Sequence, residues 1–237
     1  MNVSYLGPKG TFSEIAAVNY FSKNIRKIPK SSVEDVFKSV QKSEVDYGIV
    51  PIENSVEGSV NNTLDLLLDS KVLITGEIEL IINQCLLSQE TNLKSMKRIF
   101  GHPQSLAQCK QWISKNIPHA ELIPVTSNTS GALSLKESGD ACIGSEIIAD
   151  YYSLKINKKN IQDYSNNATR FLVIGNSNST VTGFDKTSLI IIPPNTDNSG
   201  SLYKLLEPFA ENEINLSRIE SRPSKVQNWS YVFFIDI

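Results

Sequence analysis

Only two histidines, His102 and His119, and three cysteines, Cys85, Cys109 and Cys142, occur in the 237 residues. Two imidazoles cannot assemble a histidine-rich metal site. Three widely spaced thiols without a CxxC pair make neither a zinc site nor a disulfide frame. They read as buried thiols of a reducing compartment. An excess of one charge is missing too: 23 basic residues stand against 25 acidic ones, a net charge of −2, with no long run of either sign. Nucleic-acid binding needs a basic excess on one face, so the charge balance argues against it. No apolar run approaches the ~20 residues of a membrane span. The longest candidate, residues 78–87, is broken by Asn83 and Gln84. The opening MNVSYLGPKG lacks a basic stretch followed by an apolar one and does not read as a signal peptide. Neither GxGxxG nor GxxxxGK[ST] occurs, which argues against a nucleotide cofactor. The expectation is a soluble cytoplasmic protein, away from membranes and nucleic acid.

What the first 175 residues do contain is one repeated pattern: short apolar strand, small or polar turn, amphipathic helix. Residues 3–6 form a strand closed by Gly7-Pro8-Lys9-Gly10. Thr11 followed by Glu14 has capping-box spacing and starts a helix to about residue 21. Ser32 caps a helix whose Val33, Val36, Phe37 and Val40 fall at i, i+3, i+4, i+7. A strand at 47–52, a helix carrying Leu64, Leu67 and Leu68, and a β-rich stretch at 72–87 follow. Then come a strand at 98–101, a helix from about Pro103 with Leu106, Cys109, Trp112 and Ile113, and a strand at 121–125. A helix from Ser127, a strand at 141–143, a helix from Ser145 and a strand at 169–174 complete the series. Such alternation implies βαβ units and a largely parallel sheet. The β-rich middle implies a chain that crosses between two lobes and returns.

At Asn176 the composition turns small and polar, which is linker chemistry. The pattern then restarts with a strand at 187–192, a stop at Pro193-Pro194, a helix at 201–211 and strands at 215–220 and 231–237. That is β-α-β-β, the first part of a ferredoxin-like βαββαβ unit. The expected division is a two-lobed α/β region at 1–176, a linker at 177–186 and a partial ferredoxin-like α+β domain at 187–237.

In open α/β sheets ligands bind beyond the carboxyl ends of strands. Those ends carry Gly10-Thr11-Phe12-Ser13, Glu53-Asn54-Ser55 with Glu57-Gly58-Ser59, His102-Pro103-Gln104-Ser105, and Gly144-Ser145-Glu146. Any one of these turns reads as ordinary N-capping. Several around one sheet point to a cleft for a small anionic ligand, because free N–H groups at helix starts favour negative charge. Cys109, at helical spacing from Leu106 and Trp112, reads as core rather than as a nucleophile paired with His102. Glu53 and Glu57 read as solvated loop carboxylates, since Gly58 argues against a regular helix there. Thr169-Arg170-Phe171 sets a hydroxyl and a guanidinium at the start of a buried strand. An arginine there needs an anion, from a ligand or from a local carboxylate.

Four segments, in order, resemble the prephenate dehydratase family: GPKGTFSE at 7–14, PIENSVEGSV at 51–60, GHPQSLAQC at 101–109 and NNATRFLVIG at 166–175. The tail resembles an ACT regulatory domain. Gly200-Ser201-Leu202-Tyr203 matches its Gly-Ala-Leu turn, and Glu220-Ser221-Arg222-Pro223 its ESRP motif. With no chorismate mutase segment before Met1, the resemblance is to the monofunctional type. It implies two lobes like a type II periplasmic binding protein with the active site in the cleft. The implied reaction is dehydration and decarboxylation of prephenate to phenylpyruvate, in phenylalanine biosynthesis, by a hydro-lyase needing no metal or organic cofactor. By resemblance the catalytic residue is Thr169. The implied substrate contacts are Thr11, Phe12, Ser13, Asn54, Ser55, Gly58, Thr63, His102, Gln104, Ser105, Arg170 and Phe171. The implied phenylalanine site comprises Asn198, Gly200, Ser201, Leu202, Glu220, Ser221, Arg222 and Pro223. The implied partners are prephenate, phenylalanine as allosteric ligand, and further copies in a homodimer or homotetramer.

Prephenate carries two carboxylates and a ring hydroxyl that must leave. Hydroxyls, amides and helix N-termini hold a dianion without a large charge excess. A donor to the leaving oxygen helps departure, because that hydrogen bond strengthens as charge develops. A threonine hydroxyl is too weak an acid to give up its proton unaided. Glu53, Glu57 and His102 are the candidates for the group that supplies it. Thr169 and Arg170, as strand neighbours, point to opposite faces. Arg170 therefore reaches a substrate carboxylate at a bulge or strand end, which is the preferred reading, or else braces the cleft.

The tail departs from its family in two ways. Ser199 and Ser201 flank Gly200 where the family has Pro and Ala, though Gly200 still allows a close backbone approach. The second helix and last strand of a βαββαβ unit are missing, which would leave an apolar edge at 189–192. The expectation is weakened or absent phenylalanine inhibition and impaired oligomer assembly. Two non-enzymatic readings compete. A solute-binding protein of the same architecture would normally carry an export signal; an amino-acid sensor would explain the tail but not the TRF and ENS segments.

Overall fold

The structure, a computed structural model, describes residues 1–22, 24–193, 199–224 and 230–237. Its chain divides into two units, Met1–Asn178 and Ser179–Ile237. The first opens with β1 (Asn2–Leu6), α1 (Phe12–Phe21), β2 (Arg26–Lys30), α2 (Val33–Gln41), β3 (Tyr47–Asn54), β4 (Gly58–Ser59), α3 (Asn61–Asp69) and β5 (Leu73–Ile81). It continues with β6 (Cys85–Ser88), β7 (Arg98–Gly101), α4 (Pro103–Gln108), α5 (Lys110–Asn116), β8 (Glu121–Pro124), α6 (Asn128–Leu133), β9 (Asp140–Gly144), α7 (Glu146–Tyr152), β10 (Lys155–Lys158) and β11 (Ala168–Gly175).

Two sheets make two lobes. The first has the order β2-β1-β3-β11-β5, with β4 paired to β3; the second has the order β10-β6-β9-β7-β8. The chain passes from the first lobe to the second between β5 and β6 and returns between β10 and β11. This is the expected two-lobed α/β arrangement. The expectation of largely parallel sheets needs correction. β1 is parallel to β2 and β3, and β7 to β8 and β9, but β11 is antiparallel to both β3 and β5, and β6 to both β9 and β10. A strand leaving a lobe and one re-entering it run in opposite directions and need no helical crossover.

Local patterning produced most of these elements. Ser32 Oγ accepts from Asp35 N at 3.0 Å, and Val33, Val36, Phe37 and Val40 are buried as their spacing predicts. The second-lobe sheet is apolar on both faces: Leu86, Ile99 and Ile143 pack with Leu106, Cys109 and Ile113, whereas Cys85, Leu87 and Cys142 pack with Ile148 and Ala149. The three cysteines are free and buried. Burial pushes the Cys85 thiol up to about 11 and Cys142 up to about 12, and raises Cys109 as well. Cys109 is thus core; burial moves it away from the thiolate that a nucleophile requires. β2 and β10 escaped the sequence reading. Both are short, lysine-bearing edge strands, built to discourage pairing with other chains.

The second unit comprises β12 (Ser188–Ile191), α8 (Ser201–Glu211), β13 (Arg218–Pro223) and β14 (Tyr231–Asp236). Its antiparallel sheet has the order β12-β14-β13. β13 begins three residues later than the strand expected at 215–220 and takes in the ESRP segment. Among the described residues no helix is long and apolar enough to cross a membrane, and no group of three His, Cys, Asp or Glu side chains could hold a metal ion.

Candidate active site

A cavity of about 1080 Å³ opens between the two lobes of the first unit. The first lobe lines it with Thr11, Phe12 and Ser13 at the start of α1, Asn54 at the end of β3, and Thr169 and Phe171 on β11. The second lobe contributes His102, Gln104, Ser105 and Gln108 around α4, residues 126–130 at the start of α6, and Ser145 ahead of α7. Its lining includes Lys9 and Lys30 and, among the described residues, no aspartate or glutamate. In a chain of net charge −2 that is a selective removal of negative charge from one surface. It suits an anionic ligand.

The floor of the cleft is a buried amide network. Asn54 Nδ2 lies 2.8 Å from Thr169 Oγ1, 2.8 Å from Asn167 Oδ1 and 3.1 Å from Ala168 O. Asn54 Oδ1 accepts from the backbone N–H groups of Val56 and Glu57, both at 3.0 Å, which settles which end of the amide is which. Since Asn54 Nδ2 can only donate, Thr169 Oγ1 accepts from it, and the hydroxyl's own proton is left for an acceptor in the cleft. Asn167 Nδ2 donates to Gln108 Oε1 at 3.1 Å, so the network reaches into the second lobe.

Thr169 and Phe171 share one face of β11, and Arg170 takes the other. Its Nε lies 2.6 Å from Glu77 Oε2 on the neighbouring β5, and its Nη1 is 3.9 Å from Glu53 Oε2. The register against β3 shifts after Arg170, but that against β5 runs unbroken from Ala168 to Val173, so the bulge does not turn the guanidinium inward. Arg170 therefore stands outside the cleft lining, contrary to the preferred expectation, and braces the sheet. Arg170→Lys should leave the affinity of the cleft for a small dicarboxylate within about twofold of wild type while lowering stability by about 1 kcal/mol, as loss of a part-exposed ion pair does. Titration calorimetry and thermal melts check this; a tenfold loss of affinity would return Arg170 to the ligand.

Three more expected contacts lie outside the lining. Ser55 Oγ donates to Asn166 O and accepts from Ala168 N, closing the turn after β3. Gly58 occupies a turn at φ +83°, and Thr63 donates to Pro51 O at 2.6 Å. Each supports the loop that carries Asn54. Of the three acid candidates, Glu53 neighbours Arg170 and Glu57 Oε1 accepts from Gln108 Nε2 at 3.4 Å, whereas His102 alone lines the cleft. His102 Nδ1 accepts from Gln104 N at 3.3 Å, which places the neutral ring's proton on Nε2. Behind it, Asn128 Oδ1 accepts from His102 N and Asn128 Nδ2 donates to Ser105 Oγ. Gln84, Gln108, Asn128, Ser130, Lys9 and Lys30 were not singled out in the sequence. The only local signal for Asn128 and Ser130 was their place after a strand's carboxyl end.

The expected capping box at α1 is not formed. Thr11 Oγ1 turns back to donate to Leu6 O, and the Glu14 carboxylate accepts from Gly10 N instead of Thr11 N. In the second unit Gly200 caps α8 at φ +81°, a left-handed position that favours glycine, with Ser201 and Leu202 in the first turn. Glu220, Ser221, Arg222 and Pro223 lie on β13. Asn198 falls outside the described residues.

A family model described as prephenate dehydratase matches residues 3–179. The chain belongs to this family. The prephenate dehydratase of Bacillus subtilis (strain 168) is 35% identical over 251 residues, covering all of this chain and 88% of that protein. The bifunctional chorismate mutase/prephenate dehydratase of Aquifex aeolicus (strain VF5) is 43% identical over 238 residues, again over the whole chain. The chain spans 65% of the length of that bifunctional relative. The crystal structure of prephenate dehydratase from Arthrobacter aurescens in complex with L-Phe matches with a TM-score of 0.90 at 33% identity, covering all of this chain and 80% of that one.

Proposed function

We propose that this chain is a prephenate dehydratase, a hydro-lyase that converts prephenate to phenylpyruvate, water and carbon dioxide. The observation that carries the reading is the Asn54–Thr169 hydrogen bond of 2.8 Å, which orients a hydroxyl as donor inside a cleft whose lining, among the described residues, bears lysines and no carboxylates. In the reaction the bond between the ring and its carboxylate breaks, and its electrons pass into the ring. The bond from the ring to the departing oxygen breaks at the far side, and the ring becomes aromatic. Thr169 donates to that oxygen, more strongly as negative charge gathers on it. The proton that completes the water comes from a stronger acid than threonine. Of the three candidates His102 is the one that lines the cleft, and it supplies the proton as the imidazolium, since the N–H of a neutral ring is no stronger an acid than threonine. Lys9, Lys30 and the hydroxyls of Thr126, Ser127 and Ser130 receive the two carboxylates, and Phe12 and Phe171 flank the ring. Phenylpyruvate formation from prephenate by the purified chain, read as its enolate in alkali, tests the proposal. A folded protein that binds prephenate in calorimetry without turnover would be a binding protein instead.

We read the second unit as an ACT-like module with phenylalanine as its ligand and further copies of the chain as partners. Its β12-β14-β13 order, the left-handed Gly200 and the L-Phe complex of the Arthrobacter relative support that reading.

A further inference from the structure

The loop that brings Thr11, Phe12 and Ser13 to the cleft is gripped by the opposite lobe. Thr129 Oγ1 donates to Lys9 O and Ser145 Oγ to Gly10 O, each at 2.8 Å. Tyr151 OH, on α7, donates to Glu14 Oε1 at 2.6 Å. Glu14, on α1, is completely buried. Its other oxygen accepts from Gly10 N at 2.7 Å, and Lys27 of β2 pairs with Oε1 while lying 3.0 Å from Tyr151 OH. A buried carboxylate is costly unless donors surround it. Burial opposes its ionisation, and hydrogen bonds from Lys27, Tyr151 and Gly10 N more than offset that, holding the group below the usual carboxylate range. Gly10 itself has φ +91°, and a Cβ there would stand 2.8 Å from Ile148 Cγ1 and 3.2 Å from Thr129 Oγ1, both in the second lobe.

The placement of these groups matters. Lys27 lies on β2, one edge of the first-lobe sheet; the chain crosses to the second lobe from β5, at the opposite edge. Opening the lobes about the crossings therefore pulls directly on the Tyr151–Glu14–Lys27 cluster. None of these three side chains lines the cleft.

We propose that Tyr151, Glu14 and Lys27 form a latch between the lobes, and that Tyr151 and Glu14 are positioning residues for substrate binding, acting through the loop at 9–13. The proposal rests on the reading of the cleft as the prephenate site. Without the latch the lobes spend part of their time apart, and apparent affinity falls by the fraction of closed molecules, while the chemistry of bound substrate is unchanged. Tyr151→Phe removes only a hydroxyl, from a residue 41% exposed, and leaves Glu14, Lys27 and Gly10 in contact. It should raise the Michaelis constant for prephenate at least about tenfold, as loss of a hydrogen bond to a charged group does, with kcat within about twofold. In the ligand-free protein the amides of residues 9–13 should exchange hydrogen faster than in wild type. An unchanged Michaelis constant together with unchanged exchange overturns the latch, and so does a kcat that falls as far as kcat/KM. Should the wild-type chain fail to turn over prephenate, the dehydratase reading fails and exchange alone decides: faster exchange at 9–13 in Tyr151→Phe sustains the latch, and equal exchange overturns it.

Discussion

Replacing Thr169 by valine should lower kcat for prephenate by at least about a hundredfold while changing the Michaelis constant less than about threefold. Valine keeps the branched shape that β11 packs around and removes the one hydroxyl that Asn54 orients at 2.8 Å. On the proposed mechanism the lost hydrogen bond is one that matters as the ring oxygen leaves, so its absence raises the barrier more than it weakens binding. Thr169→Ser keeps a donor but frees its rotation, because serine lacks the second branch at Cβ. Its kcat should stay within about tenfold of wild type. Steady-state rates and melting temperatures on the three proteins check both statements. Equal losses in valine and serine variants would mean that packing, not the hydroxyl, matters at this position.

Asn54→Asp should be more damaging than its size suggests, with a loss in kcat of about 10³-fold at neutral pH. The carboxylate can still accept from Val56 N and Glu57 N as Asn54 Oδ1 does. Its second oxygen, however, replaces a donor 2.8 Å from Thr169 Oγ1 and 2.8 Å from Asn167 Oδ1. Thr169 would then donate to position 54 and no longer to the substrate, and Asn167 Oδ1 would face a like charge. Asn54→Ala, which leaves Thr169 free to donate, should lose less. Lowering the pH protonates the introduced carboxyl and restores a donor, so the aspartate variant should recover part of its activity in acid whereas the alanine variant does not. An aspartate variant as active as the alanine variant at every pH would show that the direction of this hydrogen bond has no bearing on turnover.

Several parts of the fold were legible because they depend on near neighbours in the chain. Ser32 with Val33, Val36, Phe37 and Val40 is a capped amphipathic helix wherever it docks. The apolar run at 72–87 read as β-rich structure, and it divides into β5 and β6 at the crossing between lobes. Errors came where distant segments compete for a group. Glu14 has capping-box spacing from Thr11, yet Lys27 and Tyr151 claim its carboxylate from 13 and 137 residues away. Thr63 was expected at the substrate and instead holds Pro51 O. For Arg170 the alternation of strand faces was visible in the sequence; its anion was not, because Glu77 becomes a neighbour only through the pairing of β11 with β5.

By itself the sequence determined the two-lobed α/β class, the buried thiols, and the resemblance that singled out Thr169 and Asn54. All of these follow from composition, periodicity and short motifs, which are properties of contiguous residues. Only the tertiary structure decided which partner of the Asn54–Thr169 pair donates, that Arg170 faces away from the cleft, and that no carboxylate among the described residues lines it. Asn54 and Thr169 are 115 residues apart, and β11 enters the first sheet only after the chain has built the second. The register of that returning strand sets which side chains meet, and nothing local to either segment encodes it.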